Sequence, residues 1–287
     1  MTSLDQRGDI AAAEIAFYAI ALCFCVLNNI RHGFSRKQGW LLITLFALMR
    51  FVGSILVVVI QQTSSDNVSL YIAEVTISSI ALTPLISATL IFLIRAFRFY
   101  VPESSGSSLH DIAIRVLSLI LLASIILSIV AGSQMSNYTD DSKVSSAIML
   151  SHVAVCLLTG VYGVIVIVTG LLIFSPYSAP TTTTPTMLLH AIALSLPFLL
   201  VRIIYSLLSA FTLSVATGGY FGSGGSKFNN ITGSWQIYLG MGVIMEFAII
   251  IIYVVCGVLL EKFDSSQQRR PSNLESLDTA IELENKD

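Results

Sequence analysis

Charge is what this sequence has least of: 15 Lys and Arg with 17 Asp and Glu make up 11% of 287 residues. Soluble domains carry roughly 25%. The shortage excludes an ordinary soluble globular protein. A net charge of −2 with no basic stripe also excludes a nucleic-acid-binding surface. Cysteine is scarce too. Cys23, Cys25, Cys156 and Cys256 all fall inside apolar runs, where packing roles are expected rather than a disulfide framework or a zinc site. The N-terminus lacks the basic n-region, short apolar core and small-residue cleavage site of a signal peptide, so its first apolar run reads as a membrane span. No lysine occurs between Gln236 and Leu260, which removes a retinal Schiff base. The receptor-type triplet and Asn-Pro-x-x-Tyr motifs are missing as well: the corresponding runs are Arg98-Phe99-Tyr100 and Ile252 to Cys256. No cofactor or metal is implied. Asp140 and Asp141 form an isolated acidic pair, and the glycines Gly218, Gly219, Gly222, Gly224 and Gly225 lack the Gly-Lys-Ser/Thr ending of a phosphate loop.

What is present is apolar length. Hydrophobic residues make up 55% of the chain, and mean hydropathy is +0.83. Seven runs, 10–27, 39–61, 70–94, 112–132, 147–174, 187–213 and 236–260, approach or exceed the roughly 20 residues that cross a bilayer as helix. They predict an all-α polytopic bundle of seven transmembrane helices over residues 10–260. Residues 1–9 are then a short exoplasmic tail, and residues 261–287, charged and without apolar periodicity, a disordered cytosolic tail. Sidedness follows from two signals. Glycosylation sequons at Asn67, Asn137 and Asn230 fall in alternate loops, and Arg31, Arg36, Lys37, Arg95, Arg98, Lys262, Arg269 and Arg270 fall on the opposite side. The N-terminus is therefore expected outside or in the lumen, with the C-terminus cytosolic, in the plasma membrane or endoplasmic reticulum. Arg269-Arg270-Pro271-Ser272 fits a basophilic kinase site at Ser272.

Against this apolar background the ionisable residues inside spans stand out. A guanidinium at mid-membrane costs about 3 kcal/mol on insertion scales, so Arg50 must be paired within the bundle. By helix rise, Arg50 and Glu246 each lie roughly 15 Å into their spans, level with one another. They are expected to be partners. Arg202 and Glu74, both in the outer half, are expected to form a second, separate pair. Glu14, near the start of span 1, is expected to be solvated at the edge, and His152 to be a hydrogen-bonded packing histidine. Two arginines against three glutamates leave one acid over, to be protonated, solvated or ligand-bound. Ala147, Ser151, Thr159 and Gly163 form a small-residue row that predicts a close helix contact. Pro84, in the middle of span 3, is expected to kink it, and Pro197 lies in the middle of span 6.

Arg31-His32-Gly33-Phe34, Gly39-Trp40, Arg50 and Gly53, together with Arg202, Tyr205 and Glu246, resemble a family of fungal seven-span integral membrane proteins of unknown function. The resemblance implies a fungal source and the same topology, and no catalytic role. Three function classes stay open. The first is a bundle that binds, senses or transports a small apolar or amphipathic ligand through Arg50, Glu74, His152, Arg202, Tyr205 and Glu246, reached from outside or from membrane lipid. The second is an intramembrane enzyme resembling the small fungal terpenoid cyclases, with Glu74 and Glu246 as acids. The third is a scaffold. The first is preferred over an enzyme.

Overall fold

A computed structural model describes residues 5–32, 39–63, 68–100, 107–135, 141–174, 183–212 and 234–260. Helices α1 (Gln6–His32), α2 (Trp40–Gln62), α3 (Val68–Tyr100), α4 (Ser107–Met135), α5 (Asp141–Phe174) and α6 (Thr183–Phe211) follow in order. Helix α7 (Trp235–Leu260) completes the set. All seven are long and apolar enough to cross a membrane, and there is no strand among the described residues. Several run longer than their apolar cores. At 1.5 Å per residue the 33-residue α3 spans about 50 Å, well beyond the roughly 30 Å hydrocarbon layer. Asn67, Asn137, Asn230 and Ser272 lie outside the described residues.

Helix α3 is the axis of the bundle. Of its apolar stretch 72% is buried, against 11% for α4, and it packs against α2, α4, α5 and α6. The sequence explains the difference. α4 turns a long aliphatic face, Ile112, Val116, Leu119, Leu122, Ile126 and Ile129, outward where it suits lipid, whereas α3 alternates bulky residues with Ser, Thr and Ala that admit neighbours. The core is built on Tyr18, Phe46, Leu85, Phe92, Ile192, Ile249 and Tyr253. Pro84 lies inside the continuous α3, among buried residues.

Two glycines are dictated by their surroundings. Gly39, at the start of α2, has φ 79°, and a Cβ there would sit 2.8 Å from the Phe92 ring, so both backbone and space require glycine. Gly132 meets the Thr76 side chain so closely that α4 approaches α3 only because no Cβ intervenes. The small-residue row of α5 behaves differently from its expected single seam. Ala147 is buried with Ile72 and Met135, and Ser151 lines a cavity, but a Cβ on Gly163 would meet nothing within 4 Å. The row turns around the helix as it rises, because 3.6 residues per turn does not hold spacings of four, eight and four on one line.

Polar contacts also cross the bundle. Ser124 of α4 donates to the Ala154 carbonyl of α5 (3.0 Å), and the Tyr162 hydroxyl of α5 donates to the Leu196 carbonyl of α6 (2.9 Å). Tyr253 of α7 lies 2.8 Å from both Thr89 of α3 and Ser195 of α6. Helix α7 begins with a short α-helical turn, Trp235–Ile237, passes through a π-helical segment, Tyr238–Val243, and continues as α-helix. Such segments recur at functional sites.

Candidate functional site

One carboxylate organises the interior. Glu246, three residues past the π segment and 1% exposed, receives Arg50 Nε and the Tyr18 hydroxyl (3.1 Å) on Oε2, and Arg202 Nε (2.5 Å) on Oε1. Arg50 Nη2 also makes ion-pair contact with Oε2. Four helices, α1, α2, α6 and α7, therefore converge on a single side chain. Aromatic rings seal it on one side: Phe17 of α1 stacks on Phe247 of α7 with centroids 3.7 Å apart, and Tyr18 packs edge-to-face with Phe46 and Phe247. Sealing strengthens each charge interaction by lowering the local dielectric.

The expected Arg50–Glu246 partnership is present in this geometry, but the separate Arg202–Glu74 pair is not. Arg202 turns to Glu246, its Nη1 donates to Ser206 (2.6 Å), and its guanidinium lies 5.5 Å from the Tyr205 ring centre. Glu74 instead accepts from Ser78, one turn further along α3 (2.9 Å). Depth counted by helix rise locates a Cα. A long side chain reaches roughly a helical turn, about 5.4 Å, from that point, which is the difference between the two candidate acids.

Glu14 also departs from expectation. It is 3% exposed rather than wet, and accepts from Ser54 of α2 (2.5 Å) and from Tyr238 in the π segment of α7 (3.0 Å). Arg7, within the stretch read as a polar tail, falls in the first turns of α1. The buried charges of the interior are Arg50 and Arg202 with Glu14, Glu74 and Glu246. Ser54, Ser78, Tyr18 and Tyr238 serve this cluster; Tyr18 is readable in the sequence as the residue one turn after Glu14 on the same face, whereas Ser54, Ser78 and Tyr238 are isolated hydroxyls in apolar helices and carry no positional signal.

His152 stands apart from the cluster. Its Nε2 donates to the Ala210 carbonyl (2.9 Å), one of the carbonyls at the end of α6 that lack an intrahelical partner, and its ring stacks on Phe211 at 4.5 Å. That is a packing role. Cys25 and Cys256 are buried, while Cys23 and Cys156 face outward.

Beside the cluster, α3, α4, α5 and α6 enclose a partly open cavity of about 80 Å³. It lies toward the end of the bundle where α3 and α5 begin and α4 and α6 finish. Ser78, Ser124, Ser128, Ser151 and Ser206 give it polar walls, and Leu82, Val155 and Leu158 apolar ones. The Gly132–Thr76 approach forms part of its lining, and so does Arg202. The cavity thus reaches the charge cluster through one guanidinium.

Seven membrane-length helices around a buried ionic cluster define a polytopic α-helical membrane protein. The model of the DUF7702 domain of unknown function matches residues 4–263, nearly the whole chain, and the chain belongs to that family. No curated protein and no solved structure matches it.

Proposed function

We propose that this chain is a ligand-binding membrane bundle of the receptor or transporter kind, in which a small amphipathic molecule enters the cavity between α3, α4, α5 and α6. One observation carries the reading: Arg202 belongs both to the cavity wall and to the ionic cluster, so an occupant would act directly on the group that ties α6 to α7. A scaffold has no need of a hydroxyl-lined space ending on a buried charge. The cyclase-like alternative, with Glu74 and Glu246 as acids, draws less support, because Glu246 takes three donors and is engaged as an acceptor.

The reading includes an exoplasmic N-terminus and a cytosolic C-terminus in a fungal secretory-pathway membrane, so that the cavity faces outside. It also includes glycans at Asn67, Asn137 and Asn230, and Ser272 as a kinase target. The test is a thermal-shift measurement on the detergent-purified protein against fractionated extracts of its source cells. A fraction that raises the unfolding midpoint of the wild type but not of Ser151→Leu, which fills the cavity without touching the cluster, supports binding. A deletion strain whose lipid extract loses one compound and accumulates its precursor would replace the reading with an enzyme.

A further inference from the structure

We infer that the occupant of this cavity carries a small anionic group of the carboxylate class, and that Arg202 is the residue that receives it. The inference rests on the cavity being a ligand site and adds the chemistry of the ligand. Among the described residues lining the cavity, Arg202 is the one that bears a charge; Glu74, the nearest acid on α3, is represented there only through its hydroxyl partner Ser78. A guanidinium in a confined, partly apolar space selects an anion, and its planar fork matches a carboxylate.

The geometry also makes Arg202 releasable. Glu246 is shared, so if Arg202 turns to a ligand the carboxylate keeps Arg50 and Tyr18, and no buried charge is left without a partner. Arg50 has no such freedom, being nearly inaccessible and outside the cavity lining. The wall hydroxyls suit either state. Ser128 and Ser124 donate to the carbonyls of Ser124 and Ala154, and a rotation about χ1 or the C–O bond turns each proton toward an anion. Size bounds the ligand. At 10–15 Å³ for each water-sized unit, 80 Å³ holds about five to eight of them, so the group inside is a short-chain carboxylate or the carboxyl end of a longer amphiphile. Binding would exchange one ion pair for another and loosen α6 from α7, which couples occupancy to the bundle.

Acetate and propionate, with acetamide and propionamide as neutral matches and chloride at equal ionic strength, are the probes for the full-length protein in detergent. The expected result is a rise in the unfolding midpoint of the wild type with the two carboxylates, absent with the amides and chloride, and lost in both Arg202→Gln and Ser151→Leu. Should Arg202→Gln fail to fold, Ser151→Leu decides alone, because its cluster is intact. Equal shifts from amides and carboxylates that vanish in Ser151→Leu overturn the anionic ligand while leaving the cavity as a binding site. Carboxylate shifts that persist in Ser151→Leu, or no shift in the wild type, overturn the inference as well. The cell-extract experiment judges the cavity independently of these probes.

Discussion

Arg50 and Arg202, from α2 and α6, meet opposite oxygens of the same carboxylate, so the two guanidiniums are coupled through Glu246. Coupling of this kind makes single substitutions non-additive. Glu246→Gln removes the shared anion from both bases and should cost about 3 to 5 kcal/mol, more than Arg202→Gln, which leaves Arg50 and Glu246 paired. Thermal unfolding in detergent, followed by size-exclusion fluorescence, ranks the variants; equal losses would show that the two arginines do not depend on one acid.

A charge exchange between α2 and α7 separates a private pair from a shared one. For an isolated pair, Arg50→Glu combined with Glu246→Arg recovers part of the stability lost by each single change. Here the exchange sets a guanidinium on α7 directly against Arg202. The double variant is therefore expected to express worse than Arg50→Glu alone, and recovery would mean that Arg202 has another counter-ion.

Two tyrosines test the strength of the polar contacts. Tyr18 donates to an ionised group, whereas Tyr253 bonds to the neutral hydroxyls of Thr89 and Ser195. Hydrogen bonds to charged groups contribute about 1.5 to 3 kcal/mol against about 1 kcal/mol for neutral ones. Tyr18→Phe should accordingly lower the unfolding midpoint more than Tyr253→Phe, and the reverse order would remove Tyr18 from the cluster.

Gly132 tests the wall of the cavity. Its missing Cβ is what admits the Thr76 side chain, so Gly132→Val forces α4 away from α3 at a cost of about 1 to 3 kcal/mol. Combining it with Thr76→Ala frees the space and should return most of the loss. Midpoints that add independently would show that the two helices are not in contact at this point.

The topology is tested outside the bundle. Endoglycosidase should shift the mobility of the expressed protein, and removal of Asn67, Asn137 and Asn230 together should abolish the shift. A C-terminal tag cleaved by protease added to intact cells would invert the assignment.

The number and approximate position of the helices were legible because each span is an uninterrupted apolar run, and length alone decides that it can cross a membrane. The lateral arrangement was not. The depth of Arg202 points to Glu74, and the structure selects Glu246 instead, since the choice depends on which helix lies beside α6 and how far a flexible side chain bends. Arg7 was hidden by composition, because α1 begins at Gln6, within a stretch polar enough to read as a tail. Glu14 reads as solvated because it lies only four residues past the apparent start of its span, whereas α1 begins a turn earlier, at Gln6. The π segment left no periodic signal, and it is what carries Tyr238 to Glu14. The cavity hydroxyls, scattered over four helices, form a set only after the helices have packed.

The distance along the chain between Arg50 and Glu246 has a consequence for biogenesis. They are 196 residues apart. At roughly 5 to 20 residues per second of synthesis, α2 waits about 10 to 40 s for the last helix to be made. Arg50 occupies the membrane throughout that interval, and Arg202 over its last 44 residues, before their common acid exists, with Glu14 and Glu74 already made. Helix α7 thus acts as the closing piece of an otherwise unbalanced assembly, and a nascent chain that stops short of Glu246 presents unneutralised bases to the quality-control machinery of the membrane. Truncation before Trp235 should shorten the lifetime of the chain in a pulse-chase experiment far more than truncation after Leu260.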